Sequence, residues 1–140
     1  MNLPRVLLAD DHQDTRTLLR SLLEREFDVV ADVANGEALV SAASELLPDI
    51  IVTDISMPCV DGIAAATVIL RTNPAVRIVF ITAHHDLCLV EQGLSTGALG
   101  YVLKFAAGDE LVPAVRAALD GEYYISRTLR RPVRRTEQMH

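Results

Sequence analysis

The chain has 140 residues, half of them hydrophobic and 23% charged, which suits one folded domain and excludes a disordered chain. No apolar run approaches the roughly 20 residues of a membrane span, and the start, Met1-Asn2-Leu3-Pro4-Arg5, lacks the pattern of a secretory leader, so neither is expected. The net charge of −6 is uneven: residues 1–126 hold 8 basic and 18 acidic side chains, a balance of −10, whereas residues 127–140 hold five Arg and one Glu, a balance of +4. The acidic body argues against direct DNA binding by this chain, and the arginine-rich end (Arg127, Arg130, Arg131, Arg134, Arg135) reads as a solvated tail or truncated linker.

Short apolar runs alternate with segments of helical period. Arg5–Ala9 reads as a buried strand, followed by a helix carrying Leu18, Leu19, Leu22 and Leu23 on one stripe up to Phe27. Val29–Ala34 is a second strand closed by Asn35-Gly36, and Leu39, Val40, Ala43, Leu46 and Leu47 make a second helical stripe closed by Pro48. Ile50–Thr53 is a third strand. A loop with Pro58 and Gly62 leads into a helix that runs to about Arg71 and is broken by Asn73-Pro74. Val76–Ile81 is a fourth strand, residues 86–96 a helix ending near Gly97, and Leu99–Leu103 a fifth strand. The last helix is expected from about Asp109 to Asp120, with Pro113 in or just after its first turn and Gly121 as its stop. Continuous apolar strands separated by helices imply a parallel, doubly wound α/β sheet covered on both faces, in a single domain.

In such a sheet, ligands meet the carboxyl ends of the strands. Asp10 and Asp11 follow the first strand, Asp54 the third, Thr82 the fourth and Lys104 the fifth. Lys104 is the only lysine among 13 basic residues. Carboxylates gathered at one edge repel one another unless a cation neutralises them, and an all-oxygen set with open positions suits Mg²⁺. A hydroxyl and a mobile ammonium complete what phosphoryl transfer needs. No glycine-rich nucleotide loop is present in the sequence, so a carboxylate can itself be the phosphoryl acceptor. His12 reads as a loop residue and Cys59 as an incidental thiol, while His84, in His84-His85, is a candidate to line the pocket. Cys59 and Cys88 read as free thiols of a reducing, cytoplasmic compartment.

The stretches V-L-L-A-D-D-H (6–12), I-I-V-T-D-I-S-M-P (50–58) with D-G (61–62), I-T-A (81–83) and G-A-L-G-Y-V-L-K (97–104) make the chain resemble bacterial two-component response-regulator receiver domains. D-E-L-V-P-A-V-R-A-A-L-D-G (109–121) and Y-Y-I-S (123–126) extend the likeness to the NarL/FixJ (LuxR-type) group. The resemblance implies a flavodoxin-like (βα)5 fold with a five-stranded sheet of order 2-1-3-4-5, a receiver over residues 1–126 and a basic tail or truncated linker over 127–140. It implies that Asp54 accepts a phosphoryl group from a sensor histidine kinase. Mg²⁺ would be held by Asp11, Asp54 and the Ser56 backbone carbonyl, with Asp10 helping through water. Thr82 and Lys104 would contact the phosphoryl group, and Tyr101 would be the switch aromatic. The expected output is an altered partner or homodimer surface that regulates transcription through a DNA-binding domain outside this chain; a stand-alone phosphocarrier or interaction module is the alternative. An aspartate-based phosphohydrolase of the haloacid dehalogenase type is disfavoured, because Asp54 is followed by Ile55-Ser56 instead of a second acid. Phe105 departs from the proline that many receivers carry, and the apolar helix segments 63–70 and 87–90 are candidates for partner surfaces or extra burial.

Overall fold

A computed structural model describes residues 2–58, 60–84 and 86–130. The readings of Cys59, His85, Arg131, Arg134 and Arg135 lie outside these. Strands β1 (Arg5–Ala9), β2 (Asp28–Val33), β3 (Ile50–Thr53), β4 (Arg77–Thr82) and β5 (Gly100–Leu103) alternate with helices α1 (Gln13–Leu23), α2 (Gly36–Leu46), α3 (Gly62–Thr72), α4 (Leu87–Ser95) and α5 (Ala107–Leu119). All pairings are parallel, in the order 2-1-3-4-5 that the resemblance implies. The sheet has six strands, not five: Tyr124–Ile125 forms β6, parallel to β5 and beyond it. Two residues are too short a run to announce themselves by periodicity.

Successive side chains of each strand point to opposite faces, so one strand feeds two cores. Leu7, Ile51, Phe80 and Tyr101 pack with Leu39 and Ile69 on the face covered by α2, α3 and α4. Val6, Leu8, Val52 and Ile81 pack with Leu19, Leu23, Leu111 and Val115 on the face covered by α1 and α5. This is why the strands read as unbroken apolar runs. Among the described residues no helix is long and apolar enough to cross a membrane.

Several local expectations are corrected. Leu18 is 59% exposed, and the buried stripe of α1 is Leu19 and Leu23. The last helix begins at Ala107, after a 3-10 turn over Lys104–Ala106, so Pro113 stands in its second turn. Pro113 and Asp109 are both exposed, which lets water take the carbonyl that the missing N–H leaves free. The apolar helix α3 turns Ala65, Ala66 and Ile69 inward but leaves Val68 43% exposed, and α4 leaves Leu87 44% exposed. Phe105 is 76% exposed in the 3-10 turn.

Gly62 locks the loop after β3 against the strand end. Its N–H donates to the Ile55 carbonyl at 2.7 Å, and a β-carbon there would lie 2.0 Å from the Asp54 carbonyl oxygen. That neighbour is backbone and cannot swing away. Gly62→Ala should therefore lower folding stability by about 1–3 kcal/mol, read from urea unfolding; an unchanged midpoint would contradict this packing.

Candidate functional site

The parallel ladder ends all its inner strands at one edge, and the chemistry gathers there. Asp54 continues β3 beyond Thr53, its N–H still donating to the Ala9 carbonyl of β1 at 2.9 Å. Asp10 likewise continues β1, its N–H on the Val33 carbonyl at 3.0 Å. Both are therefore fixed by sheet hydrogen bonds, and both are buried, Asp10 completely and Asp54 to 4% exposure. Thr82, the last residue of β4, is also fully buried.

Lys104 follows β5 directly and reaches both acids. Its Nζ lies 2.8 Å from Asp10 Oδ2 and 2.9 Å from Asp54 Oδ2. Burial works against this ammonium, but its hydrogen bonds to the two carboxylates outweigh burial and hold its pKa above the ordinary lysine value. The same burial pushes the Asp54 carboxyl above the ordinary range, reinforced by the charge of Asp10 and opposed by Lys104 and the Ser56 N–H, which lies 3.3 Å from Asp54 Oδ1.

Asp11 stands beside this pair with 27% of its side chain exposed. Its Oδ1 is a buried oxygen without a well-aligned donor, and Asp10 Oδ2 has only the Lys104 ion pair. One ammonium faces the three carboxylates of Asp10, Asp11 and Asp54, and an all-oxygen set of this kind suits a hard divalent cation. Ligand atoms of Asp10, Asp11 and His12 lie within 4.8 Å of one another. Asp54 is outside that group, its oxygens turned to Lys104 and Ser56. The His12 side chain is 72% exposed, with Nδ1 3.1 Å from Asp11 Oδ1.

Two further residues join the site. His84 is exposed, yet three of its groups are engaged: its N–H donates to Thr82 Oγ1 at 3.1 Å, its Nε2 meets Ser56 Oγ at 2.7 Å, and its carbonyl accepts the Tyr101 hydroxyl at 2.9 Å. His84 thus lines the site as a tie between the loops that follow β3 and β4. The Ser56 side chain was missed, since the resemblance assigns that position a carbonyl role only. Tyr101 is fully buried with its ring inward, and burial, helped by the charges of Asp86 and Asp54, pushes its phenol up to about 12. Gly93 of α4 makes room for it, with Phe80 and Tyr101 ring carbons 3.1 and 3.5 Å from where a β-carbon would stand.

Comparison with known proteins bears on this arrangement. Residues 6–116 match the response regulator receiver domain family. The chain is 37% identical over 123 residues to the transcriptional regulatory protein DegU of Brevibacillus brevis, covering 86% of this chain and 52% of DegU. It thus spans about half the length of that relative. A two-component response regulator of the LuxR family from an Aurantimonas species superposes with a TM-score of 0.91 at 32% identity, covering 99% of this chain and 100% of that one. The isolated receiver domain of RcsB from Salmonella enterica, solved with the phosphomimetic BeF3−, gives a TM-score of 0.85 at 28% identity, covering 93% and 98% of the two chains.

The raised Asp54 carboxyl has a stability consequence. It binds its proton more tightly in the folded than in the unfolded chain, so folding stability falls as pH rises through the ordinary carboxylate value to the raised one, and stays lower above it. Asp54→Asn should unfold at a higher temperature than the parent at pH 7, with the gap closing in acid. A difference that does not change with pH would contradict the assignment.

Proposed function

Because the chain belongs to the response regulator receiver domain family, we propose that Asp54 accepts a phosphoryl group from a phosphohistidine of a sensor histidine kinase. The observation that carries this reading is the Lys104 ammonium held at 2.9 Å from one oxygen of a nearly buried Asp54, with the carboxylates of Asp10 and Asp11 at the same edge.

In the step so assigned, an Asp54 carboxylate oxygen bonds to phosphorus as the phosphorus–nitrogen bond of the donor breaks, and the histidine leaves with the bond's electron pair. Asp11, Asp54 and the Ser56 carbonyl would hold Mg²⁺, with Asp10 acting through water; bound there, it neutralises phosphoryl oxygen charge. Lys104 passes from sharing two carboxylates to pairing with the new phosphoryl oxygens. Thr82 donates its hydroxyl to one of them. In doing so it pulls on the His84 N–H that it now accepts, and through the His84 carbonyl on Tyr101. A local change in charge thereby biases the face made by α4, β5 and α5.

The chain is read as a signalling switch without steady turnover, acting in the cytoplasm. Its receiver is assigned to residues 1–126, and residues 127–140 to a basic tail or truncated linker, of which residues 127–130 form a turn packed on the domain through Leu129. By analogy with the transcriptional regulatory protein DegU, the output assigned is control of transcription; a switched partner or homodimer surface acting through a DNA-binding domain outside this chain is the route assigned, and a stand-alone phosphocarrier or interaction module is the alternative. The acidic body itself makes no DNA contact in this reading.

Incubation with Mg²⁺ and acetyl phosphate, followed by intact mass measurement, tests the assignment. The parent should gain one phosphoryl group, and Asp54→Asn should gain none. Steady release of phosphate over many turnovers would indicate a phosphohydrolase instead. No gain with either acetyl phosphate or a cognate kinase would sink the reading.

A further inference from the structure

The outer side of β5 is covered by a strap, residues 124–130, that ends the described chain. Backbone pairing gives Tyr124 N–H to the Leu99 carbonyl and Ser126 N–H to the Tyr101 carbonyl, each at 2.9 Å. A longer parallel ladder would next present the Ser126 carbonyl to the Leu103 N–H. That carbonyl is already taken by the Leu129 N–H at 2.9 Å, which opens the helical turn 127–130. The Ser126 hydroxyl stands in for it: its Oγ accepts the Leu103 N–H at 2.9 Å. Ser126 is fully buried, so no water can replace that acceptor.

The strap is anchored beyond Ser126. Leu129 is 5% exposed and belongs to the same core as Tyr101 and Phe80. Arg130 Nε donates to the Ile125 carbonyl at 2.6 Å, and its guanidinium stacks 5.2 Å over the Tyr124 ring. The residues that the strap grips on β5, Tyr101 and Leu103, are the inward aromatic and the immediate neighbour of Lys104.

We propose that Ser126 is a positioning residue for Lys104, and that the strap couples this lysine to the turn over residues 127–130. Lys104 leaves the chain one residue after Leu103, and from there its Nζ reaches Asp10 and Asp54 at 2.8 and 2.9 Å. The hydrogen bond from Leu103 to Ser126 fixes that backbone on the one side of β5 that β4 does not cover. Coupling runs both ways. A pull on the strap moves the start of the 3-10 turn and with it the ammonium, and recruitment of the ammonium by a phosphoryl group loads the strap. The functional meaning rests on the phosphotransfer reading above, while the mechanical link does not.

Lys104 is the only lysine, so isotopic nitrogen labelling at lysine gives one backbone and one ammonium signal from the full chain. Ser126→Ala should move both signals and slow phosphorylation by acetyl phosphate about tenfold. Leu129→Ala should move the signals in the same direction by less. A folded Ser126→Ala protein with both lysine signals unmoved overturns the proposal, as does an unaltered rate with displaced signals. If Ser126→Ala does not fold, the lysine signals of Leu129→Ala decide alone. If the parent takes no phosphate, the phosphotransfer reading falls and the lysine signals still decide the coupling.

Discussion

A single ammonium shared between two buried carboxylates organises this molecule's working edge. Lys104 lies 2.8 and 2.9 Å from Asp10 and Asp54, and Asp11 adds a third acid at the same edge. Two acids at the ends of buried strands are costly unless something positive reaches them. Lysine is suited to this because its point charge sits on a long, flexible stem and can be redirected. The remaining surplus of negative charge is a standing cost to stability and an attraction for a cation. Burial raises the Asp54 carboxyl, and the charge of Asp10 adds to it.

The geometry of β5 gives that charge its reach into the rest of the domain. Tyr101, buried and tied through its hydroxyl to the His84 carbonyl, lies three residues before Lys104 on the same run of chain. Thr82 contacts the same His84 from the other side. Ser126 grips the carbonyl of Tyr101 and the N–H of Leu103. One strand thus carries the inward aromatic and the attachment of the strap, and leads directly into the lysine. Close packing keeps these parts from adjusting independently. Gly62 shows the tolerance: there is no room for one methyl group against the Asp54 carbonyl.

Much of this was legible in the sequence, for identifiable reasons. Strands buried on both faces have to be continuous apolar runs, so β1, β3 and β4 stood out, and the residues just past them became the site by the rule for open parallel sheets. Lys104 stood out because it is the only lysine. What was missed depends on partners distant in sequence. Nothing in the helical period marks Leu18 as outward and Leu19 as inward when both are leucine. Ser126 lies 23 residues from the N–H it accepts. Ser56 and His84 meet across two loops, a pairing that sequence spacing does not encode. α5 starts two residues before the expected Asp109, because the chain enters the helix from the Lys104–Ala106 turn without a capping side chain to mark the start.

If the three carboxylates form the proposed cation site, that site joins Asp11 to Asp54. Anomalous scattering from crystals soaked in Mn²⁺, a hard divalent ion with the oxygen preference of Mg²⁺, reads this out. One strong peak is expected in contact with the carboxylates of Asp11 and Asp54 and with the Ser56 carbonyl. A peak held by Asp10, Asp11 and His12 away from Asp54, or no peak at this edge, would contradict it.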